Sequence, residues 1–340
     1  SDLVRITDAW LDPYRRAKVA MNKSLPIAAA LASLASCDAP LQEQYVLSSQ
    51  SSLPEGVAFD AASESFFATA IHGGQITRIT ALGQEMVFHR SDEPNLSFSG
   101  AHVDGARRLL WVCAVDIKTG PAPRSKIVGF DLREGGLVRS VDLGEGSFCN
   151  DLTTDADGNV YASDSAQPNI WRVGPDGAGL TVFASDPRFA PAAPGTIGLN
   201  GIDVSPDGDS LLVVRSIPAE LFRVALDDPR DVGVVTFSGD PFAMPGDPRF
   251  PGPDGIEFLG DELYVAFDGG VQQLSFAGDD HAHAVVRTTT AVPTGLSSLT
   301  VADGRLYAID SEVFRVMYGL QPPELPFRIV HVDTGLFDAQ

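Results

Sequence analysis

Basic residues are scarce in this sequence. Its 340 residues include 24 Lys and Arg against 45 Asp and Glu, which gives a net charge of −21. A surface this acidic repels nucleic acids and anionic membranes, so we expect no nucleic-acid partner. The acidity keeps a protein soluble and can also concentrate cations such as calcium, and solubility is the simpler interpretation.

Several signatures are also missing. The apolar run at residues 25–36 is too short to cross a bilayer, and no long amphipathic helix follows residue 41. No G-x-S-x-G motif occurs, which excludes at the level of motifs a serine hydrolase of the α/β type. No glycine-rich loop for a dinucleotide or a phosphate is present either.

The N-terminal region has the order of a bacterial export signal. Residues 21–37, MNKSLPIAAALASLASC, place a Met and a Lys before the apolar run and end at Cys37. The end of this segment resembles a lipobox, whose cysteine is lipidated. We therefore predict an upstream extension at 1–20, a signal at 21–37, and a lipoprotein held by Cys37 in the periplasm or on the cell surface. The alternative is an Ala-rich helix packed on the domain.

Cysteine is rare, with 3 in the chain. Apart from Cys37, the chain contains Cys113 and Cys149, both in strand-like contexts. Export would permit a disulfide between them, but small buried thiols fit equally well. The sequence leaves both states open.

After residue 41 a short unit repeats six times. Each unit opens with a polar residue and a small residue, followed by an alternating strand, a turn, a strand rich in Tyr, Val and Ala, and a third strand. The opening residues are Glu55, Ser99, Asn150, Asn200, Asp254 and Ser297. Repeats of about 40–55 residues built from short strands are typical of β-propellers.

One such unit cannot bury both of its apolar faces, so all six must stack in a ring. We predict an all-β protein with a single six-bladed β-propeller domain at 42–335. We expect the strand EQYVLSS at 43–49 to close the ring as the outermost strand of blade six, beside FRIVHVD.

The opening residues of a propeller converge at one mouth of the central channel. Here they are two carboxylates, two amides and two serines. Hard dications such as Ca²⁺ are bound by oxygen ligands of this kind, and the absence of His and Cys from the set argues against zinc or copper. A water-filled channel capped by polar residues is the alternative.

Four of these openings resemble a known family. The senescence-marker-protein/gluconolactonase family and its relatives, diisopropylfluorophosphatase and paraoxonase, are six-bladed propellers that hold a catalytic calcium with Glu, Asn, Asn and Asp from blades one, three, four and five. Glu55, Asn150, Asn200 and Asp254 stand on those blades here. The phrases PEGVAFD, NDLTTDADGNVYASDS, NGIDVSPDG and PDGIEF are similar to the family's motifs and follow its order.

The resemblance implies metal-assisted hydrolysis, in which a calcium ion polarises a lactone carbonyl or a phosphoryl oxygen. Asp254 would be the general base or the nucleophile, and Glu55 would be mainly a ligand. Supporting roles fall to Asp151, which would orient the Asn150 amide, and to the two opening serines, Ser99 and Ser297.

Two departures from the family pattern bear on the site. Some paraoxonase-type enzymes have a His at the start of blade two, where this chain has Ser99 and then His102. Diisopropylfluorophosphatase uses an Asp three residues after its catalytic Asp for a second, structural calcium, and Glu257 occupies that position here. A second ion therefore stays open.

Two long proline-rich loops, at 186–199 and 239–253, precede blades four and five and share the string DPRF. We predict that they roof the mouth and form the apolar wall of a substrate site, although simple spacing of the blades is an alternative. The predicted wall residues are Phe189, Phe242, Met244 and Phe250.

We therefore predict a monomeric calcium-dependent hydrolase that acts on a small-molecule lactone or related ester and meets the membrane only through its lipid anchor. The alternative is a non-catalytic propeller that binds a ligand or a protein, with calcium as a structural plug. An open coordination site would favour the enzyme, and a mouth sealed by the 239–253 loop would favour the binding module.

Overall fold

The computed structural model describes residues 40–116, 122–193, 195–242, 252–317 and 322–335. The predicted signal and Cys37 lie outside these residues. Within them, no helix is long and apolar enough to span a membrane.

The first four blades are separate four-stranded antiparallel sheets whose strands follow one another in chain order. Short turns connect the strands, as at Gly158, where φ is +83° and the N–H donates to Asp155 O at 2.9 Å. The strands of blades one and two are β2 (Pro54–Asp60), β3 (Ser65–Ala70), β4 (Gln75–Thr80), β5 (Glu85–Arg90), β6 (Leu96–Asp104), β7 (Leu109–Asp116), β8 (Arg124–Asp131) and β9 (Leu137–Glu145). Those of blades three and four are β10 (Cys149–Thr154), β11 (Val160–Asp164), β12 (Asn169–Val173), β13 (Thr181–Ser185), β14 (Leu199–Val204), β15 (Ser210–Arg215), β16 (Glu220–Ala225) and β17 (Val232–Val234).

Blades five and six share one seven-stranded sheet. Its long strand β20 turns at Gly269, where φ is +90°, so that its two halves pair with different neighbours. The second long strand, β21, pairs first with β20 and then with β22, and it thereby passes from blade five into blade six. The strands are β1 (Gln44–Val46), β18 (Thr236–Ser238), β19 (Ile256–Leu259), β20 (Glu262–Phe276), β21 (His283–Ala302), β22 (Arg305–Asp310) and β23 (Arg328–Val332).

The helical content is small. The described helices are the 3₁₀ turns Ala61–Ser63 and Pro187–Phe189 and the five-residue α-helix Val313–Met317. The all-β, six-bladed propeller predicted from the sequence is confirmed.

The N-terminal strand closes the ring. β1 pairs antiparallel with β23, with Tyr45 opposite Ile329. The Tyr45 ring lies 5.1 Å from that of Phe66 in blade one, so this strand joins blade six to blade one. The pairing agrees with the predicted closure by residues 43–49.

Among the described residues, the hydrophobic core is divided into six clusters, one at each junction between neighbouring blades. For example, Phe67 of blade one packs with Phe98 and Phe130 of blade two, and all three are almost completely buried. Apolar side chains on both faces of each sheet make these clusters. A single blade would expose both faces to water, so it would not be stable alone.

A disulfide and an ion pair also join neighbouring blades. Cys113 on β7 and Cys149 on β10 form a disulfide, which resolves the alternative that the sequence left open. The Asp60 carboxylate, 1% exposed, accepts hydrogen bonds from both terminal nitrogens of Arg108 in blade two, with an Nη2–Oδ2 distance of 2.8 Å.

Candidate functional site

The six opening segments meet in a ring. Gly201 N donates to Asp254 O at 2.9 Å, and Gly255 N donates to Ser297 O at 2.8 Å. The Ser297 hydroxyl donates to Glu55 O at 2.6 Å, across the point where the last blade meets the first. The convergence predicted for the blade openings is therefore present in the fold.

A β-bulge lies at the opening of most blades. The register shifts at the opening residue in the first strands of blades one, two, three, four and six. A bulge re-aims the side chain that it carries. The small residue that follows is needed for close packing, since a Cβ on Gly100 would lie 2.4 Å from Asp151 Oδ1 and one on Gly201 would lie 2.4 Å from Asp254 O.

The opening side chains are buried, and three of their oxygens have no hydrogen-bond partner. These atoms are Glu55 Oε2, Asn150 Oδ1 and Asp254 Oδ2, on residues that are at most 8% exposed. An unpartnered buried acceptor costs about 1–3 kcal/mol, and more when it is charged. Buried oxygens of this kind suit a hard cation, which takes oxygen ligands.

The chemistry of the ligand set limits which metal it suits. No group of three or more His, Cys, Asp and Glu side chains is arranged to hold a metal within the described ranges. The ring instead offers two carboxylates and the amides of two asparagines. That all-oxygen set fits calcium and does not fit zinc or copper.

Two serines hold the asparagine amides. Asn150 Nδ2 donates to Ser165 Oγ at 2.8 Å, and Asn200 Nδ2 donates to Ser216 Oγ at 2.9 Å. The sequence alone does not identify these serines as partners of the asparagines. The signal that could have found them is a hydroxyl at the end of the second strand in both blades, in the strings ASDS and VRS.

The electrostatics of the ring favour protonated acids when no cation is bound. Burial, and then the charges of Asp254 and Asp151, raise the pKa of Glu55 well above its usual value. Burial and the Asp151 charge likewise raise the pKa of Asp254, against a hydrogen bond from Asn200. Burial raises the pKa of Asp151 to about 7, although backbone N–H groups of Leu152 and Ile202 oppose the shift.

Two more acids, Asp203 and Glu257, lie three residues after the opening residues of blades four and five. Asp203 accepts hydrogen bonds from Thr153 Oγ1 at 3.0 Å and from Phe258 N at 2.9 Å. Burial raises its pKa to about 6, and burial with the charge of Asp203 raises the pKa of Glu257 well above its usual value. Buried acids thus continue beyond the opening residues along the first strands of blades four and five.

His102 lines up with these residues in blade two. Its Nε2 lies 3.0 Å from Thr154 Oγ1, and burial lowers its pKa to about 4. The His102 imidazole is therefore neutral near neutral pH.

The predicted supporting residues divide into two groups. The Ser99 hydroxyl donates to Cys149 O at 3.1 Å, and Ser297 donates to Glu55 O, so both hold backbone next to a candidate ligand. Asp151 does not orient the Asn150 amide as predicted, because Ser165 does so. Its Oδ1 instead accepts from Leu152 N at 2.9 Å.

The predicted apolar wall of the substrate site needs correction. Phe189 is 0% exposed and its ring lies 5.1 Å from that of Phe222, within the cluster between blades three and four. Phe242 is 6% exposed and packs on Phe237. Neither ring is available to a substrate in this conformation. Met244 and Phe250 lie outside the described residues.

This protein belongs to the class of six-bladed β-propellers whose blade openings form a ring lined by side-chain oxygens. Residues 53–297 match the family model described as SMP-30/Gluconolactonase/LRE-like region, and the chain belongs to that family. No curated protein sequence matches it.

Solved structures of the same fold include the major allergen Mala s 1 of Malassezia sympodialis, with 17% identity and a TM-score of 0.68 over 87% of this chain and 97% of the allergen. A calcium-binding regucalcin from Agrobacterium tumefaciens is 18% identical, with a TM-score of 0.60 over 86% of this chain and 95% of its own. A gluconolactonase from Xanthomonas campestris is 18% identical, with a TM-score of 0.57 over 83% and 87% of the two chains.

Proposed function

We propose that this protein is a calcium-dependent hydrolase of lactones or related esters. The observation that carries the proposal is the ring of unpartnered buried oxygens on Glu55, Asn150 and Asp254. Support also comes from the family, which includes gluconolactonases, and from structural neighbours described as a gluconolactonase and as a calcium-binding protein.

Glu55, Asn150, Asn200 and Asp254 would hold the ion. When bound, calcium supplies a Lewis acid that polarises a lactone carbonyl or a phosphoryl oxygen. Asp254 has one carboxylate oxygen free of protein donors. It can therefore take a proton from an attacking water or attack the carbonyl carbon itself. Glu55 serves mainly to hold the ion and to balance its charge.

The test is proton release by the protein on a panel of lactones, aryl esters and a phosphotriester. Each substrate is assayed with calcium, after chelation, and with the Asp254→Asn variant. We expect turnover of at least one substrate class with calcium, and a loss of at least about 100-fold in both of the other samples. Asn is nearly isosteric with Asp, so a folded but inactive variant would separate chemistry from stability.

The alternative is a binding module with a structural cation. If no substrate is turned over while chelation still lowers the melting temperature, calcium is structural and the hydrolase proposal is wrong. If neither activity nor stability responds to calcium, the metal assignment fails as well.

We also propose that the protein acts outside the cytoplasm as a lipoprotein anchored at Cys37. The disulfide between Cys113 and Cys149 supports export, because such bonds persist in oxidising compartments and are rare in the cytosol. Labelling cells with radioactive palmitate tests the anchor, and a Cys37→Ala variant that still takes up the label would contradict it.

A further inference from the structure

Ser165 and Ser216 each make two hydrogen bonds of fixed direction. The Ser165 hydroxyl donates to Leu199 O at 2.6 Å and accepts from Asn150 Nδ2 at 2.8 Å. The Ser216 hydroxyl donates to Pro253 O at 2.8 Å and accepts from Asn200 Nδ2 at 2.9 Å. Both serines are 1% exposed, so bulk water does not compete for these bonds.

A hydroxyl has one hydrogen, and in both serines that hydrogen is used on a backbone carbonyl. Toward the asparagine the serine oxygen can therefore only accept. This forces the NH₂ group of the amide to face the serine and sends the amide oxygen the other way. Without such a partner the two ends of a side-chain amide are easily exchanged. In Asn150 the oxygen that results is buried and has no partner of its own.

The same serines connect one candidate ligand to the next. Leu199 directly precedes Asn200, and Pro253 directly precedes Asp254. Ser165 therefore ties the Asn150 amide to the opening of blade four, and Ser216 ties the Asn200 amide to the opening of blade five. Thr69 in blade one is not their counterpart, since Ala70 pairs with Pro54 as Asp164 pairs with Cys149. Its hydroxyl accepts from Gly56 N at 2.7 Å and donates to Ser99 O at 2.6 Å. It holds only backbone.

We propose that Ser165 and Ser216 are positioning residues that fix the orientation of the Asn150 and Asn200 amides, and that the Asn150 oxygen is thereby directed to the cation. The proposal rests on the proposed function where it concerns calcium. The orientation of the amides can be tested without the ion.

The binding experiment is a calorimetric calcium titration of the chelator-treated protein and of Ser165→Ala and Ser216→Ala. Residues that orient metal ligands typically change affinity by about 10–100-fold, and we expect a loss of that size in each variant. Thr69→Val is the matched control, since it removes a hydroxyl that joins two blade openings but touches no asparagine. It should change affinity less than about threefold. Ser165→Thr keeps the hydroxyl that accepts from Asn150 Nδ2 and should retain binding.

The orientation experiment uses ¹⁵N NMR of the metal-free protein. The side-chain NH₂ of Asn150 should exchange slowly with solvent in the wild type and in Thr69→Val, and rapidly in Ser165→Ala. Equal exchange in wild type and Ser165→Ala overturns the positioning proposal, as does a calcium affinity of both alanine variants equal to that of Thr69→Val. Slow exchange in a wild type that binds no calcium would uphold the positioning of the amide and overturn only the proposed function.

Discussion

Two carboxyl groups at the mouth are buried at a cost in free energy. Glu55 and Asp254 are buried carboxyls, and each has an oxygen that no protein donor satisfies. Burial of an unpaired charge is strongly unfavourable, so the group must bind a proton or a cation. Calcium would let these residues keep their charge. The ring is therefore expected to be least stable when it is empty of cations at high pH.

A pH dependence follows for the metal-free protein. The pKa of Asp151 is raised to about 7, whereas that of an unfolded Asp is about 3.9. The folded state thus binds the proton more tightly, and its contribution to stability is present below pH 4 and lost as the pH rises through 7. From pH 6.5 to 8.5 in chelator, we expect the contribution of Asp151 to the free energy of unfolding to fall by about 0.8 kcal/mol.

Thermal unfolding at the two pH values measures this change. In chelator, the fall in melting temperature between the two pH values should be about 2 °C larger for the wild type than for Asp151→Asn, and saturating calcium should remove most of this difference. His102 acts in the opposite direction as the pH rises through its unfolded pKa of about 6.5, and its effect cancels when the wild type is compared with Asp151→Asn. Asp151→Asn is the control, and an equally steep decline in that variant would show that another group is responsible.

At this scale the sequence was informative where residue type repeats with the blades. Glu55, Asn150, Asn200 and Asp254 could be found because each opens a strand at a fixed place in the repeat. Ser165 could not be identified as the partner of Asn150, because a serine at a strand end is common. Only the fold shows that its single hydrogen is committed to Leu199 O.

The short strand β1 connects blade six to blade one. It has three residues, yet it completes blade six and packs against blade one. Tyr45 is 2% exposed, and its hydroxyl donates to Ala81 O at 3.2 Å, at the end of β4. The junction between blades six and one, which we call a seam like every other junction between blades, is therefore held by side chains as well as by backbone pairing.

Tyr45→Ala should therefore weaken the whole ring. The change removes an aromatic ring from the cluster shared with Phe66 and Tyr307, and large-to-small changes of this kind cost about 3–5 kcal/mol. Val46, its neighbour on β1, is 51% exposed, so Val46→Ala should stay within about 0.5 kcal/mol of the wild type. Urea unfolding curves followed by fluorescence give both values. Equal effects of the two changes would mean that β1 contributes only backbone pairing.

The order of the strands was predictable, but their continuity was not. Alternating residues and turn strings place strand after strand along the chain, and β1 beside β23 follows from the need to close the ring. The merging of blades five and six in one sheet depends on how β20 turns at Gly269 and how β21 continues past residue 291. Those features arise from pairing between distant segments, which local patterns do not encode.

The whole molecule is a ring of blades, and each blade is stable only while it packs against both of its neighbours. The Cys113–Cys149 disulfide reinforces the seam between blades two and three and ends at the residue before Asn150. Its ends are 36 residues apart, and loop-closure entropy for a cross-link of that span is worth about 4 kcal/mol. Both sulfur-bearing side chains are 0% exposed, so the bond is shielded while the ring stays closed.

Replacing both cysteines by alanine should consequently lower the free energy of unfolding by about 2–5 kcal/mol. Thiol trapping in cells extends the measurement to the compartment. The full-length chain should carry no reactive thiol at Cys113 or Cys149, whereas a chain that lacks residues 1–40 should remain in the cytosol with both thiols free. If both forms contain the disulfide, the bond forms without export and no longer supports the proposed location. Free thiols in both forms would contradict export itself, because a buried pair this close oxidises readily in an oxidising compartment.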